Sequence, residues 1–375
     1  MTTAPKVIFM LSHSEEGGAS NIWADLAQAF AAKGYRVQLA ALYPKAAGVL
    51  SKERLTQVEW IYAVPDRPRS LLGSAGMFWS LVKLLRRERP DVVFTALPAA
   101  NAIVPLAAQV SGTGLRVVTS HHGPISTARK YLDVADTLAG SLPSVDTIIS
   151  VSHSVSNTLS SKPTTYRKKR AVIHNALPPR IEANLEALYP AGSRRTMQAR
   201  LLAATGRLAE QKNYPTLLRA VANTREIHLN IVGSGPDEQA LRDLSDSLGL
   251  QSRVSFLGSF PREEALGRLS QADVFIQVSL FEGHSLAIIE AAKLGLPIIV
   301  SDVPEQIEAV TLRDGSRAGI VVPTLDPESI GAAIQQLFDS AAEYRLWSDR
   351  ASMLAKESNF DNLVCAYEAI VNQAR

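Results

Sequence analysis

The sequence predicts an α/β protein with two Rossmann-like, doubly wound domains, and three observations carry that prediction. Short Val/Ile-rich runs alternate with stretches of helical periodicity along the whole chain, which is the βα signature of a parallel sheet. The runs are apolar on both faces, as strands covered by helices on both sides must be. The pattern stops at a polar, Arg-containing connector around residues 178–198 and then starts again, and a chain of 375 residues, 46% of them apolar, is long enough for two cores.

Taken in order, the strands expected in the first half are KVIFMLS, RVQLAAL, VEWIYAV, DVVFTAL, RVVTSHH, DTIISVS and AVIHN. Those of the second half are RLLAATG, HLNIVG, VSFLG, VFIQVS, PIIVSD and GIVVP. The expected domains are therefore 1–178 and 179–358, followed by an amphipathic helix in 359–375. Periodicity does not fix where that last helix docks, and a return onto the N-terminal domain is the option it leaves. Ligands of doubly wound sheets bind outside the carboxyl ends of the strands, so function is expected in the loops after them, with the two domains facing across a cleft.

Composition narrows the function. A balance of 39 basic against 36 acidic residues argues against nucleic acid as a partner of the whole chain, while a pI near 8.9 leaves room for a local cationic patch. The single cysteine, Cys365, excludes internal disulfides and a Cys-based zinc cluster, which fits a cytoplasmic location. The opening MTTAPKVIFMLSHSEEGG reads as a first strand running into a Gly-rich loop rather than as a signal peptide, and no apolar run approaches membrane-spanning length.

Candidate chemistry follows the strand ends. Gly17 and Gly18 open a helix after the first strand, where free amides and the positive dipole end suit a phosphate, although taken alone such a pair more often serves a turn that needs φ > 0 or close packing, which is the preferred reading here. The loop departs from G-x-G-x-x-G, which counts against a dinucleotide oxidoreductase. His121 and His122 end the fifth strand; either imidazole can orient a sugar hydroxyl or exchange a proton. Adjacent residues on an extended segment point to opposite faces, so they are a poor zinc pair.

In the second half Arg207 follows a strand and Lys212 precedes a helix expected to be capped by Asn213, with Pro215 in its first turn. Two cations at one helix N-terminus, completed by its amides, suit a diphosphate. No Asp-x-Asp triplet occurs, so fixed cations rather than a metal are expected to neutralise a departing diphosphate. Gly233 and Gly235 permit close backbone approach to a ligand or tight packing. Glu282, Gly283 and His284 lie on a loop, a helix begins near Ser285, and Glu290 sits inside it, putting two carboxylates roughly 12 Å apart if the whole span were helical. The amides of His284, Ser285 and Leu286 would then point at a phosphate.

These residues resemble glycosyltransferase family 4 (glycosyl transferases group 1), retaining transferases with the GT-B fold. Glu282-Gly283-His284-Ser285-Leu286, continuing to Glu290-Ala291 and Gly295-Leu296-Pro297, is similar to that family's Glu-x7-Glu signature. Gly206-Arg207-Leu208 with Lys212 is similar to its diphosphate-binding stretch. Val232-Gly233-Ser234-Gly235-Pro236, Phe256-Leu257-Gly258 and Ile173-His174-Asn175-Ala176 match in order, so the resemblance covers essentially the whole chain. Asn175-Ala176 and Lys212-Asn213 stand where the family often has Asn-Gly and Lys-Gly, and neither departure removes a charge.

The resemblance implies that Arg207 and Lys212 hold the donor diphosphate, Glu282 the sugar hydroxyls and Glu290 the ribose or nucleotide side. Backbone around Phe260 would meet the base, Gly18 would approach the donor phosphate, and a histidine after the fifth strand would lie near the reacting centre; His-Gly favours His122 and Thr-x-His favours His121. It implies a metal-free, cofactor-free transfer of a hexose or N-acetylhexosamine in polysaccharide biosynthesis, from a nucleotide diphosphate sugar, UDP-sugar first and GDP-mannose next, to a glycan, lipid-linked or small-molecule acceptor. Competing expectations are a GT-B-type nucleotide-sugar epimerase or phosphorylase, and a catalytically silent binding scaffold.

MFWSLVKLLRRERP and the basic run Tyr166-Arg167-Lys168-Lys169-Arg170 raise peripheral contact with the inner face of the membrane. For the helix, packing into the core is the preferred reading. For the basic run the question stays open.

Overall fold

A computed structural model describes residues 4–15, 17–45, 59–127, 129–190 and 192–373. The chain divides into two compact units, one of Met1–His174 with Asp361–Arg375 and one of Asn175–Phe360. Among the described residues no helix is long and apolar enough to cross a membrane.

The first unit contains β1 (Lys6–His13), β2 (Arg36–Tyr43), β3 (Glu59–Tyr62), β4 (Val92–Ala96), β5 (Arg116–His121), β6 (Val145–Ser150) and β7 (Arg170–Val172). All pair in parallel, in the order β3-β2-β1-β4-β5-β6-β7. Val7 to Leu11 are buried throughout, because β1 is central and covered on both sides. On one side Ile8 and Met10 join the core with Leu81 and Leu85 of helix Leu71–Glu88 and Val104 of helix Pro98–Ser111. On the other Phe9 stacks on Phe94 at 5.1 Å and meets Trp23 of helix Gly18–Ala32.

The helix Phe360–Asn372 closes that second side. Tyr367 packs edge-on against Trp23 at 5.9 Å, and Arg116 donates to the Ile370 and Val371 carbonyls at 3.1 and 2.6 Å. The last helix is therefore part of the first unit's core, a placement that depends on long-range aromatic contacts and not on its own periodicity.

The second unit contains β8 (Leu201–Thr205), β9 (His228–Val232), β10 (Val254–Gly258), β11 (Val274–Gln277), β12 (Ile298–Ser301) and β13 (Ile320–Val322), parallel in the order β10-β9-β8-β11-β12-β13. Alternate residues again serve opposite cores. Leu202, Ile231 and Ile276 pack with helices Tyr214–Ala222 and Pro327–Asp339, whereas Ala203, Phe275 and Ile298 pack with Leu286–Lys293 and Ala341–Ala355. The polar connector contains a helix, Pro179–Leu188. Its Pro179 occupies the first turn, where no amide is needed, and Ile181 and Leu185 are buried in the second core.

Candidate active site

In each sheet the chain reverses its strand order beside the first strand: between β1 and β4, and between β8 and β11. Such switch points open a crevice at the carboxyl ends, where ligands of this architecture bind.

In the second unit the loops after β8 and β11 meet in one polar cluster. The Lys212 ammonium donates to Glu282 Oε1 at 2.7 Å, across 70 positions of sequence. Gln277 Nε2 and the Ser279 hydroxyl donate to the same oxygen, each at 2.7 Å. The Ser285 hydroxyl in turn donates to Gln277 Oε1 at 2.9 Å. Glu282 is only 7% exposed, so these three donors replace the water its carboxylate gives up. Leu280 N–H donates to the Gln211 carbonyl and Gln211 Nε2 to the Phe281 carbonyl, locking the two loops together. The Asn175 amide adds a bond to the His284 carbonyl at 3.1 Å.

Two glycines hold this arrangement by crowding. A Cβ on Gly233 would lie 1.9 Å from the Gly206 carbonyl oxygen, and one on Gly235 would lie 2.2 Å from that of Leu208. Both are thus required for packing of the loop after β8. The loop leaves Arg207 exposed, and among the described residues its guanidinium has no hydrogen-bond or salt-bridge partner.

Two expectations need correction. Asn213 does not cap the helix Tyr214–Ala222 through its side chain: it adopts a left-handed conformation (φ 53°), its amide donates to the Val278 and Thr324 carbonyls, and its carbonyl oxygen accepts from the Thr216 hydroxyl. That N-terminus supplies few amides, because Pro215 has none and those of Thr216 and Leu217 already bond to the Asn213 carbonyl. The helix start expected near Ser285 is found there, with Ser285 as N-cap and the helix running Leu286–Lys293, so the roughly 12 Å spacing of a wholly helical span does not apply.

The helix Leu286–Lys293 behaves differently from Tyr214–Ala222. Ser285 stands at its N-cap, but with its hydroxyl turned to Gln277 the first-turn amides receive no side-chain cap. Glu290 accepts Nε and Nη2 of Arg262 on one oxygen, at 3.0 and 2.8 Å. Burial raises its carboxyl above the ordinary range, and Arg262 opposes that shift. Arg262 was not among the sequence candidates; its one signal is its place at the start of the helix after β10. Phe260, two residues before it, lies with the Arg268 guanidinium over its ring at 5.2 Å.

In the first unit the two histidines part ways. His121 is buried, its Nε2 3.0 Å from the Tyr166 hydroxyl and 3.4 Å from Asp136. Tyr166 donates to Asp136 at 2.7 Å and Lys162 approaches the same carboxylate, completing an internal network. His122 is half-buried, with Nε2 3.0 Å from the Ser120 hydroxyl and its ring edge-on to Trp23 at 5.5 Å. Burial, and then neighbouring His121, push its imidazole down to about 4. His122 therefore stands outside the Tyr166–Asp136–Lys162 network that holds His121.

Gly17 and Gly18 are exposed, and an added Cβ would meet nothing within 4 Å at either. Gly17 is extended (φ 178°), and Gly18 is not among the positive-φ glycines. Neither close packing nor a left-handed turn accounts for this pair. Across the same switch point Leu97 has φ 75°, a strained value that its sequence does not signal.

Residues 16–180 match the family described as Glycosyltransferase Family 4, and residues 189–353 match Glycosyl transferases group 1. The chain belongs to the GT-B glycosyltransferases of family 4. An uncharacterized glycosyltransferase of Methanocaldococcus jannaschii is 31% identical over 199 residues, covering 51% of this family member and 50% of that protein, so the match spans about half of the relative's length. The lipopolysaccharide core biosynthesis glycosyltransferase LpsE of Rhizobium meliloti is 26% identical over 266 residues, 70% of each chain. The crystal structure of Anabaena HepE in complex with UDP and glucose shares the GT-B fold, with a TM-score of 0.79 at 16% identity over 99% of this chain and 100% of that one.

Proposed function

We propose that this family 4 glycosyltransferase moves a hexose or N-acetylhexosamine from a nucleotide diphosphate sugar to a glycan, lipid-linked or small-molecule acceptor, with retention and without a metal. The observation that carries the reading is the Lys212–Glu282 pair at the β8/β11 switch point, with exposed Arg207 on the same loop. Arg207 and Lys212 supply fixed positive charge for a diphosphate, and the uncapped amides around Ser285 and Leu286 add donors. Glu282 already takes three donors on Oε1, which leaves Oε2 to accept from sugar hydroxyls. Glu290, with Arg262 behind it, is assigned to the ribose, and backbone around Phe260 to the base. UDP is put first and glycan synthesis favoured because HepE crystallises with UDP and LpsE is named for lipopolysaccharide core biosynthesis.

In the proposed step the donor's anomeric C–O bond breaks toward the diphosphate, whose charge Arg207 and Lys212 stabilise. The acceptor oxygen bonds to the same face and its proton passes to a diphosphate oxygen, so no protein base is required. Neutral His122, positioned by Ser120 and Trp23, is assigned to a sugar hydroxyl, and Gly18 to close approach of a phosphate.

Thermal melting with UDP, GDP and ADP in EDTA tests the donor site: one nucleotide raises the melting temperature of the wild type and not that of Arg207→Ala. A nucleotide effect that required added metal would overturn the metal-free reading. An inverted anomeric product by NMR would overturn retention.

A further inference from the structure

We propose that Arg262 is a positioning residue for the donor nucleotide: it holds Glu290 so that one carboxylate oxygen meets the ribose hydroxyls as a fixed acceptor, and it acts on the nucleotide only through Glu290. This rests on the assignment of Glu290 to the ribose and adds what fits that carboxylate for the task. Arg262 opens the helix Arg262–Ser270 after β10, and Glu290 lies 28 positions further on, in the helix Leu286–Lys293 packed beside it. Nε and Nη2 of Arg262 both donate to Glu290 Oε1, at 3.0 and 2.8 Å. In the usual fork each carboxylate oxygen would take one of these donors. Here Oε2 accepts from no donor among the described residues and keeps its lone pairs for a ligand. Each side chain of the pair is 12% exposed, so the carboxylate has an open edge but little water to hold it.

A carboxylate so far withdrawn from water favours its neutral form, and Arg262 is the charged group that opposes burial at Glu290. The other cations on this helix and on those packed against it are engaged elsewhere. Arg180 pairs with Glu263, Lys293 with Glu182 at 2.7 Å, and Arg268 with Glu264 at 3.7 Å. On the helix Ala341–Ala355, Arg345 and Arg350 donate to the Ala341 and Arg317 carbonyls. Of the remaining acids Glu343 accepts from Trp347, and neither Glu186 nor Asp349 acts on Glu290. Without Arg262 the carboxyl therefore keeps its proton to higher pH, and a neutral carboxyl is a weaker acceptor for hydroxyls. The backbone joins this device to the base: Phe260, assigned to the base, stands two residues before Arg262, so one turn into the helix sets both the base contact and the clamp on the ribose carboxylate. An ion pair kept only for packing would place no such demand on the nucleotide.

Isothermal titration with UDP, GDP and ADP selects the nucleotide that the wild type binds, and the same titration on variants tests the proposal. Arg262→Met and Glu290→Gln are each expected to weaken binding by about tenfold. Arg262→Met combined with Glu290→Gln should bind no worse than Glu290→Gln alone, because Arg262 then has nothing to act through. As pH falls from about 8.5 to about 6, Arg262→Met is expected to lose affinity at higher pH than the wild type, and Arg262→Lys to follow the wild type. Glu290→Gln should show only the change that comes from the nucleotide's own phosphate. The 2′-deoxy form of the nucleotide should lose less from Arg262→Met than the ribonucleotide does. Arg262→Lys keeps a cation beside Glu290 and the double variant leaves no unpaired buried charge, so both comparisons hold even if Arg262→Met is unstable. A further loss of about tenfold on adding Arg262→Met to Glu290→Gln would overturn the proposal, as would wild-type affinity and pH profile in Arg262→Met. The assignment of Glu290 fails separately, if Glu290→Gln binds the ribonucleotide as tightly as the wild type.

Discussion

The two units share one topology and treat the same loop in opposite ways. Strands β3-β2-β1-β4-β5-β6 and β10-β9-β8-β11-β12-β13 are ordered alike, so the turns after β1 and β8 are equivalent. After β8 the packing demands glycine from within: Gly206 has φ 141° and lies under Lys212, while Gly233 and Gly235, which follow β9, touch the backbone of that same loop. After β1, Gly17 and Gly18 face open space. A glycine at a strand-to-helix turn thus speaks for a ligand only where packing does not already require it. By that measure the first unit's pair is the better ligand candidate and Gly233 the weaker one.

The largest expected effect separates the glycine after β9 that packs on the loop after β8 from the open glycine after β1. Gly233→Ala places a methyl group 1.9 Å from a carbonyl oxygen at a backbone φ of 143°, and its chemical-melt midpoint is expected to drop by the equivalent of about 4 kcal/mol or more. Gly18→Ala should change stability by less than about 1 kcal/mol while lowering transfer, because nothing in the chain opposes the methyl group. A Gly18→Ala protein that melts like Gly233→Ala would remove the contrast.

Next in size is the pair at the second unit's switch point. Lys212→Met leaves buried Glu282 without its cation and is expected to cost about 3 kcal/mol, part of which the added change Glu282→Gln restores. Transfer should fall by about 100-fold or more in both proteins, measured as kcat/KM. Stability lost in the single variant and not regained in the double would show that the pair is not the unit described.

Smaller effects sharpen the contrast between the histidines. His121→Phe strands Tyr166 and Asp136 and is expected to cost about 1–3 kcal/mol in thermal or urea melts. His122→Asn should cost less stability and more activity. The smallest expected effect is on pH. His122 is held neutral, its folded value of about 4 lying below the ordinary 6.5, so its contribution is fully present above pH 6.5 and is lost as pH falls toward 4. Wild-type melting temperature is therefore expected to fall over that window more steeply than that of His122→Asn. Equal slopes would mean that the imidazole is not desolvated.

Much of the fold is legible in the sequence because a strand buried on both faces must be apolar at every position, as Val7–Leu11 and Ile298–Val300 are. The helix Pro179–Leu188 is not named from the sequence, where the connector reads only as polar and Arg-containing; Pro179 stands in its first turn, where proline starts a helix. At the candidate site, Lys212 and Glu282 are nameable from residue type and loop position. Gln277, Ser279, Asn175 and Arg262 are not, since nothing local marks a Gln or Ser as a partner of a carboxylate. Asn213 looks like a cap in the sequence, but its side chain reaches across to the Val278 carbonyl just after β11 instead.

What the sequence by itself determined is the repeat of βα units, the restart after the connector, and the identity of the charged residues at strand ends, because each follows from periodicity and local chemistry. Tertiary structure alone decided which of two adjacent histidines is consumed by an internal network, that Lys212 meets Glu282, and which glycines are crowded. It also decided that the last helix joins the first unit's core through Tyr367 and Arg116. The physical reason is the same in each case. These outcomes depend on contacts between segments tens to hundreds of residues apart, whose partners are set by how the sheets stack their helices and not by any pattern within a segment.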